Sequence, residues 1–422
     1  MGKFKFDKWT SLYAQRIGSI KSSAIRDLLS VAARPDIISF AGGLPHPKSF
    51  PVSEIKNAFE EVIKKDADIA LQYGPSDGLI GIREEICKIM AEDDIKIYPD
   101  EVLITEGAQQ ALDIVGKIFI DPNSCIITEA PTYVGAINAF SAYEVSAKTI
   151  SLDDDGLKIE ELIRSLEELE EKSITPKFLY TVPNFQNPSG VTLSEERREE
   201  LITISKKYDL LIVEDNPYGS LYFEGEKNRC LKSIDPGIIY LGTFSKILSP
   251  GFRTGWVAAP KAIIDKLIQA KQSSDLCCSS FNQKIIEVYL KNNDLSKHIE
   301  KIKKLYRVRR DTMLNALDEY FPEEATWTKP RGGIFLWATL PEYINTNEML
   351  AEAIEEKVTY VPGSSFYPDG KRKNSMRLNF SFSEPEEINK GIKILAEVIK
   401  DQIAIVKSFY KINKKPDKGG QQ

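Results

Sequence analysis

Tyr240-Leu-Gly-Thr-Phe-Ser-Lys246-Ile-Leu-Ser-Pro-Gly-Phe-Arg253-Thr-Gly-Trp256 reads as a short apolar strand that ends in hydroxyl residues and one lysine, followed by a glycine-containing turn with an arginine. A lysine at a strand end, partly desolvated and close to another cation, loses basicity and can form a Schiff base with an aldehyde. Arg253 offers a planar donor fork suited to phosphate, and Thr243 and Ser245 add hydroxyl donors beside it. Most lysines are solvated surface charges; it is the run around Lys246 that sets this one apart.

Outward from this stretch, between about residues 100 and 260, short β-branched runs alternate with longer helical patterns. That alternation is the signature of a mostly parallel sheet covered by helices. The runs Val102–Thr105, Cys125–Thr128, Phe178–Val182, Leu210–Val213, Ile238–Leu241 and Gly255–Ala258 are the candidate strands. A helix with Ser194 as N-cap runs on to Tyr208. From about Ser296 the pattern changes to a long charged helix, then strands at Gly333–Thr339, Val358–Val361 and Met376–Ser381. The expected organisation is an N-terminal segment, 1–50, with no sheet pattern of its own, packed on the small domain and bordering the site. A large domain, 51–295, a smaller α+β domain, 296–410, and a frayed tail, 411–422, follow it.

At 422 residues with 42% hydrophobic and 28% charged residues, the chain can bury a large core. Its 56 Lys and Arg against 62 Asp and Glu give a net charge of −6 with mixed signs, so no positive field is there to hold nucleic acid. No apolar run approaches the roughly 20 residues that span a bilayer, which points to a cytoplasmic protein with no membrane partner. Cys87, Cys125, Cys230, Cys277 and Cys278 show no metal-ligand spacing and read as reduced thiols; no metal site is expected.

Further segments carry chemistry of their own. Thr105-Glu-Gly107-Ala108-Gln109-Gln110 follows a strand and opens a helix, whose free N–H groups favour an anion. Val213-Glu-Asp215-Asn-Pro-Tyr218 puts a carboxylate at the end of an apolar strand, where it needs a partner; period-two alternation aims Glu214 at the opposite face. Arg377 lies inside the apolar run Met376–Ser381, and a buried arginine demands a planar anion. Gly42 and Gly43, in Phe40–Pro45, allow a backbone turn that can approach a ligand closely.

Taken in order, these segments resemble the class I and II aminotransferases of fold type I, an α/β fold with a mostly parallel, seven-stranded-type sheet in a large domain plus a smaller α+β domain. The resemblance runs from about Ser23 to Ile399 and is greatest to the branch holding kynurenine, 2-aminoadipate and archaeal multisubstrate or aromatic aminotransferases. Thr243 stands where serine is usual. Lys246 and Arg253 are 253 − 246 = 7 positions apart where many members have eight, a shorter spacing typical of that branch.

The resemblance implies pyridoxal 5′-phosphate carried on Lys246, with Gly107, Ala108, Gln109, Thr243, Ser245 and Arg253 around its phosphate. It implies that Tyr133, in Ala130-Pro-Thr-Tyr133, stacks on the ring, and that Asp215 meets the pyridine nitrogen. Tyr218 and Asn187, in Pro183–Gly190, would bond the ring oxygen. Arg377, with Asn187, Gly42 and Gly43, would receive the substrate carboxylate. Tyr73, in Leu71–Pro75, would reach the phosphate of a neighbouring subunit in a homodimer with shared sites, and Arg26, on a short helix Ser22–Leu29, would meet a distal substrate carboxylate. The implied activity is ping-pong transfer of an amino group between an amino acid (aromatic, 2-aminoadipate or another broad-range donor) and a 2-oxo acid such as 2-oxoglutarate. The same residues would serve a lyase on this fold. An aminotransferase-like regulator is the other alternative, but its helix-turn-helix finds no room ahead of Ser23.

Overall fold

The computed structural model describes residues 9–20 and 34–413; Arg26 and the expected helix Ser22–Leu29 lie outside the described residues. The chain is α/β, as its alternating pattern requires. Its main sheet has eight strands in the spatial order Val102–Thr105, Gly255–Ala258, Ile239–Thr243, Ile212–Asp215, Leu179–Thr181, Cys125–Ala130, Ser146–Asp153 and Gly156–Leu157. Neighbours from Ile239–Thr243 through Ser146–Asp153 pair in parallel, while Gly255–Ala258 runs antiparallel to both its neighbours.

Period-two alternation explains why these strands can be apolar on both faces. Ile126, Tyr180 and Val213 enter one buried cluster, and their chain neighbours Ile127, Leu179 and Ile212 enter another. The amphipathic helix Gly107–Phe119 covers the first cluster through Leu112 and Val115, and Ile159–Glu171 covers the second through Leu162 and Leu166. Ser194 caps the helix Glu195–Lys207 by accepting from the Arg197 amide at 3.4 Å.

Two strands of this sheet escape the sequence pattern. Ser146–Asp153 is polar and only partly buried, because a strand near the sheet margin needs a single apolar face; Gly156–Leu157 is a two-residue return.

A second, antiparallel sheet has the order Thr326–Trp327, Phe335–Thr339, Ser375–Asn379, Val361–Pro362. The run expected as one strand, Val358–Val361, divides at Tyr360. Val358–Thr359 pairs in parallel with Ile38–Ser39, and Val361–Pro362 joins the four-stranded sheet. The segment before residue 50 therefore does contribute a strand, a correction to the expectation that it has none. Two residues are too short to show a period, and the pairing comes from tertiary contact. Phe40 locks the junction, its amide donating to the Thr359 carbonyl at 2.8 Å while its own carbonyl accepts from the Asn379 amide at 2.9 Å.

The long charged helix is Leu295–Tyr320, and it packs against the C-terminal helix Pro385–Asn413, which continues beyond residue 410. All five cysteines are free. Among the described residues no helix is long and apolar enough to cross a membrane, and no group of three or more His, Cys, Asp or Glu could hold a metal ion.

Candidate functional site

The antiparallel strand brings the anion-attracting groups together. Gly255 pairs with both Thr105 and Thr243, and a Cβ on it would lie 2.9 Å from the Gly107 carbonyl carbon and 3.0 Å from the Ala108 nitrogen, so only glycine lets the strand pass. Gly107 opens the helix Gly107–Phe119 with φ +72°, and a Cβ there would sit 2.7 Å from Arg253 Nη2. Arg253 is itself left-handed at φ +48°, and its Nη2 donates to the Glu106 carbonyl at 3.4 Å. Close by, the Thr243 hydroxyl donates to Ser245 Oγ at 3.0 Å. A guanidinium, two hydroxyls and a helix N-terminus with unfilled N–H groups make a cradle for a phosphate-like dianion.

Lys246 follows the same strand and is half-buried, its Nζ donating to the Gly43 carbonyl at 2.7 Å. Burial, with Arg377 and Arg253 adding to it, pushes its amine down to about 8. Asp215 ends the next strand, 2% exposed, and accepts from the Tyr180 hydroxyl at Oδ2, 2.8 Å away. Its Oδ1 is buried with no partner among the described residues. Burial raises the Asp215 carboxyl to about 7 against the pull of the Tyr180 hydroxyl, and Glu129 and Glu214 push it the same way. Glu214 accepts instead from the amides of Leu231 and Lys232 at 3.0 and 2.9 Å, apart from the site as alternation requires.

Arg377 is 2% exposed and has no carboxylate partner among the described residues. Nη1 donates to Asn187 Oδ1 at 2.9 Å, Nη2 to the Ala41 carbonyl at 2.6 Å, and Nε is buried without an acceptor. Its guanidinium lies 4.1 Å from the Phe335 ring centroid and 5.0 Å from that of Phe366, and burial pushes it down to about 10. Gly43 is pressed on Phe335 as well, since a Cβ there would be 3.1 Å from Cζ. A buried guanidinium held only by neutral oxygens and ring faces keeps an unmet demand for an anion.

Tyr133 and Tyr218 link the parts. Burial raises both phenols; Asp215 adds to the rise in each, and Arg377 opposes it in each. Tyr218 meets Phe335 edge to face at 5.9 Å, and Tyr133 OH donates to Gln109 Oε1 at 3.4 Å. Gln109 also donates to the Gly135 carbonyl at 2.9 Å. Of the sequence-derived candidates, Gly42 lies on the approach to Arg377 next to Ala41, whereas Tyr73 is apart, 81% exposed on this chain. Arg26 lies outside the described residues.

Sequence reasoning passed over Tyr180, Glu129 and Gln186. Tyr180 lies in the candidate strand Phe178–Val182, and a phenol in a fully buried strand must find an acceptor, a signal that could have marked it. Glu129, 2% exposed inside Cys125–Ala130, is the same signal with opposite sign.

These residues fit pyridoxal phosphate. The unpartnered Asp215 Oδ1 suits a protonated pyridine nitrogen, the Gly107–Arg253 cradle suits the phosphate, and a lysine of lowered basicity suits an aldehyde.

The family described as aminotransferase class I and II matches residues 35–395. Aromatic-amino-acid aminotransferase 1 of Thermococcus litoralis is 47% identical over 394 residues, spanning 93% of this chain and 94% of its own length. The crystal structure of a multiple substrate aminotransferase from Thermococcus profundus superposes with a TM-score of 0.91 at 45% identity, covering 94% of this chain and 100% of that one. An α-aminoadipate aminotransferase from Thermus thermophilus, solved with N-(5′-phosphopyridoxyl)-L-leucine, gives 0.88 at 36% identity, covering 94% of this chain and all, 100%, of that one.

The lowered basicity of Lys246 has a measurable consequence. Only the neutral amine attacks an aldehyde, so with a value near 8 the rate of aldehyde uptake by cofactor-free protein rises with pH up to about 8 and levels off above it. Stopped-flow absorbance over pH 6–11 reads the midpoint; a rate still climbing through 10.5, the ordinary value of lysine, would place Lys246 in water.

Proposed function

The chain belongs to the class I and II aminotransferase family, and from that premise we propose how its residues divide the work of moving an amino group between an amino acid and a 2-oxo acid. It is a pyridoxal-phosphate-dependent aminotransferase. When bound, the cofactor supplies an aldehyde that exchanges amines and a ring that withdraws electrons from Cα.

In this reading residues 51–295 form the cofactor-binding domain, 296–410 the smaller one, and 1–50 the segment that borders the site. Gly107, Ala108, Gln109, Thr243, Ser245 and Arg253 would hold the phosphate, Tyr133 would face the ring, and Tyr218 and Asn187 would hold its oxygen. Asp215 would keep the pyridine nitrogen protonated, which lets the ring act as an electron sink. Lys246 would anchor the cofactor's aldehyde and, as a free amine, would carry the Cα proton, a dual use that its lowered pKa supports. Arg377, with Asn187 and the Gly42–Gly43 turn, takes the α-carboxylate. The observation that carries the reading is the pair of buried, incompletely satisfied charges, Asp215 at Oδ1 and Arg377 at Nε, of opposite sign.

The names of the relatives support an aromatic, 2-aminoadipate or other broad-range donor; an acceptor such as 2-oxoglutarate, and Arg26 as the group for the distal carboxylate of acidic substrates, are proposed from the sequence alone. Exposed Ile69, Leu71, Tyr73, Ile80 and Leu276, at 46, 71, 81, 54 and 54%, support a homodimer in which Tyr73 completes the partner's phosphate site. The five free cysteines support a cytoplasmic setting.

The direct test is a half-reaction screen. Mixed with each amino acid in turn, the cofactor-loaded protein changes its absorbance with aromatic amino acids and 2-aminoadipate and recovers it with 2-oxoglutarate, and Lys246→Ala binds cofactor without responding. A parent protein inert to every amino acid sinks the assignment. Asp215→Asn retains the cofactor but turns over on the order of a hundredfold slower, a loss of about 3 kcal/mol of transition-state stabilisation. Turnover within a few-fold of the parent would remove Asp215 from the role. Mixed Lys246→Ala and Tyr73→Phe subunits exceed the summed activity of the two separate variants, because a heterodimer holds one intact site; activity equal to the sum means that Tyr73 serves its own chain.

A further inference from the structure

Glu129 is a buried carboxylate with no cation beside it among the described residues. Its oxygens face only neutral donors: the Thr181 hydroxyl, the Val182 amide at 3.2 Å from Oε1 and 3.3 Å from Oε2, and Gln186 Nε2 at 2.9 Å from Oε2. Gln186 Nε2 donates also to the Pro131 carbonyl at 2.7 Å, so both of its acceptors lie on one side. That settles the amide's orientation: Oε1 turns the other way and accepts from the Ser189 amide at 2.8 Å and the Ser189 hydroxyl at 2.6 Å. The turn is closed by the Gly190 amide donating to the Gln186 carbonyl at 2.6 Å. Between Gln186 and Ser189 stands Asn187, whose Oδ1 holds Arg377 Nη1.

We infer that Glu129 is a positioning residue for recognition of the substrate carboxylate: it orients the Gln186 amide, and that amide fixes the turn that presents Asn187 to Arg377. The inference rests on the proposed role of Arg377. A glutamine at 129 is a poorer fit: with its carbonyl toward Gln186 Nε2, its NH2 takes the place of Oε1, where the Thr181 hydroxyl has to accept instead of donate and the Val182 amide, 3.2 Å from that position, meets another donor. If its NH2 faces Gln186, the Gln186 amide has to flip, and its NH2 then confronts the Ser189 amide. The conflict travels along the hydrogen bonds to Asn187 rather than staying at Glu129. The charge also lies within reach of Asp215, whose carboxyl Glu129 helps to raise.

The test measures the dissociation constant of 3-phenylpropionate, a carboxylate with no amine to react, by calorimetry on the cofactor-loaded protein, with thermal unfolding as the check on folding. Glu129→Gln and Gln186→Ala each weaken binding about tenfold, and the double variant loses no more than either, because both break one chain of hydrogen bonds. Arg377→Leu is the control and abolishes binding. If it does so while Gln186→Ala and any folded Glu129→Gln bind as the parent does, the positioning role is overturned and that of Arg377 stands. If Glu129→Gln does not fold, unchanged binding in Gln186→Ala alone overturns it. If Arg377→Leu binds as the parent does, the reading of Arg377 fails and takes this one with it. Losses that add in the double variant mean two independent effects and also overturn it.

Discussion

The carboxylate of Asp215 is buried at a strand end with one oxygen held by Tyr180 and the other unpartnered, and burying a charge in this way costs free energy that the surrounding fold must offset. The offset comes from the sheet. Tyr180 lies on the adjacent parallel strand, in register with Val213, two residues before Asp215, so the hydrogen bond that steadies the carboxylate is built into strand pairing. The apolar residues on both faces of those strands, among them Leu179, Ile212, Val213, Ile239 and Leu241, are wholly or almost wholly buried and leave the strand ends little freedom to move toward water.

Opposite charges in one site would normally collapse into ion pairs. Here each is tied to a neutral backbone oxygen or hydroxyl instead: Lys246 to Gly43, Arg377 to Ala41, Arg253 to Glu106, Asp215 to Tyr180. The cations therefore stay separate, and Arg377 and Arg253 act on Lys246 through space, making its protonated form less favourable than burial alone would. A site arranged so is pre-organised for a ligand that brings its own charges, an anion at each end and a cation at the ring.

How much of this could be read beforehand depended on whether a residue's environment showed in its neighbours. Lys246, Asp215 and Arg377 stand out because each is a charge at the end of, or inside, an apolar run, a local conflict visible in a few residues. The strands Val102–Thr105 and Gly255–Ala258 match their sequence boundaries, since both are short, wholly buried runs. Ser146–Asp153 was missed because a half-buried strand has no continuous apolar signal. Ile38–Ser39 was missed because its pairing depends on residues more than three hundred positions away. Tyr180 and Glu129 were hidden for a related reason: their partners lie on other strands or beyond a turn, and only the register brings them together.

The Arg377 end of the site draws on three distant parts of the chain. Ala41 comes from the segment that Phe40 ties to Thr359 and Asn379, Asn187 from the turn after Leu179–Thr181, and Arg377 from the four-stranded sheet. None of the three could form this group alone, and a planar anion that joins it adds bonds to segments the fold already holds in contact. Such an anion would therefore be recognised by the relative placement of the two sheets as much as by Arg377. Binding free energy spent there acts on the alignment of Lys246 as well, since Gly43, two residues from Ala41, accepts its amine.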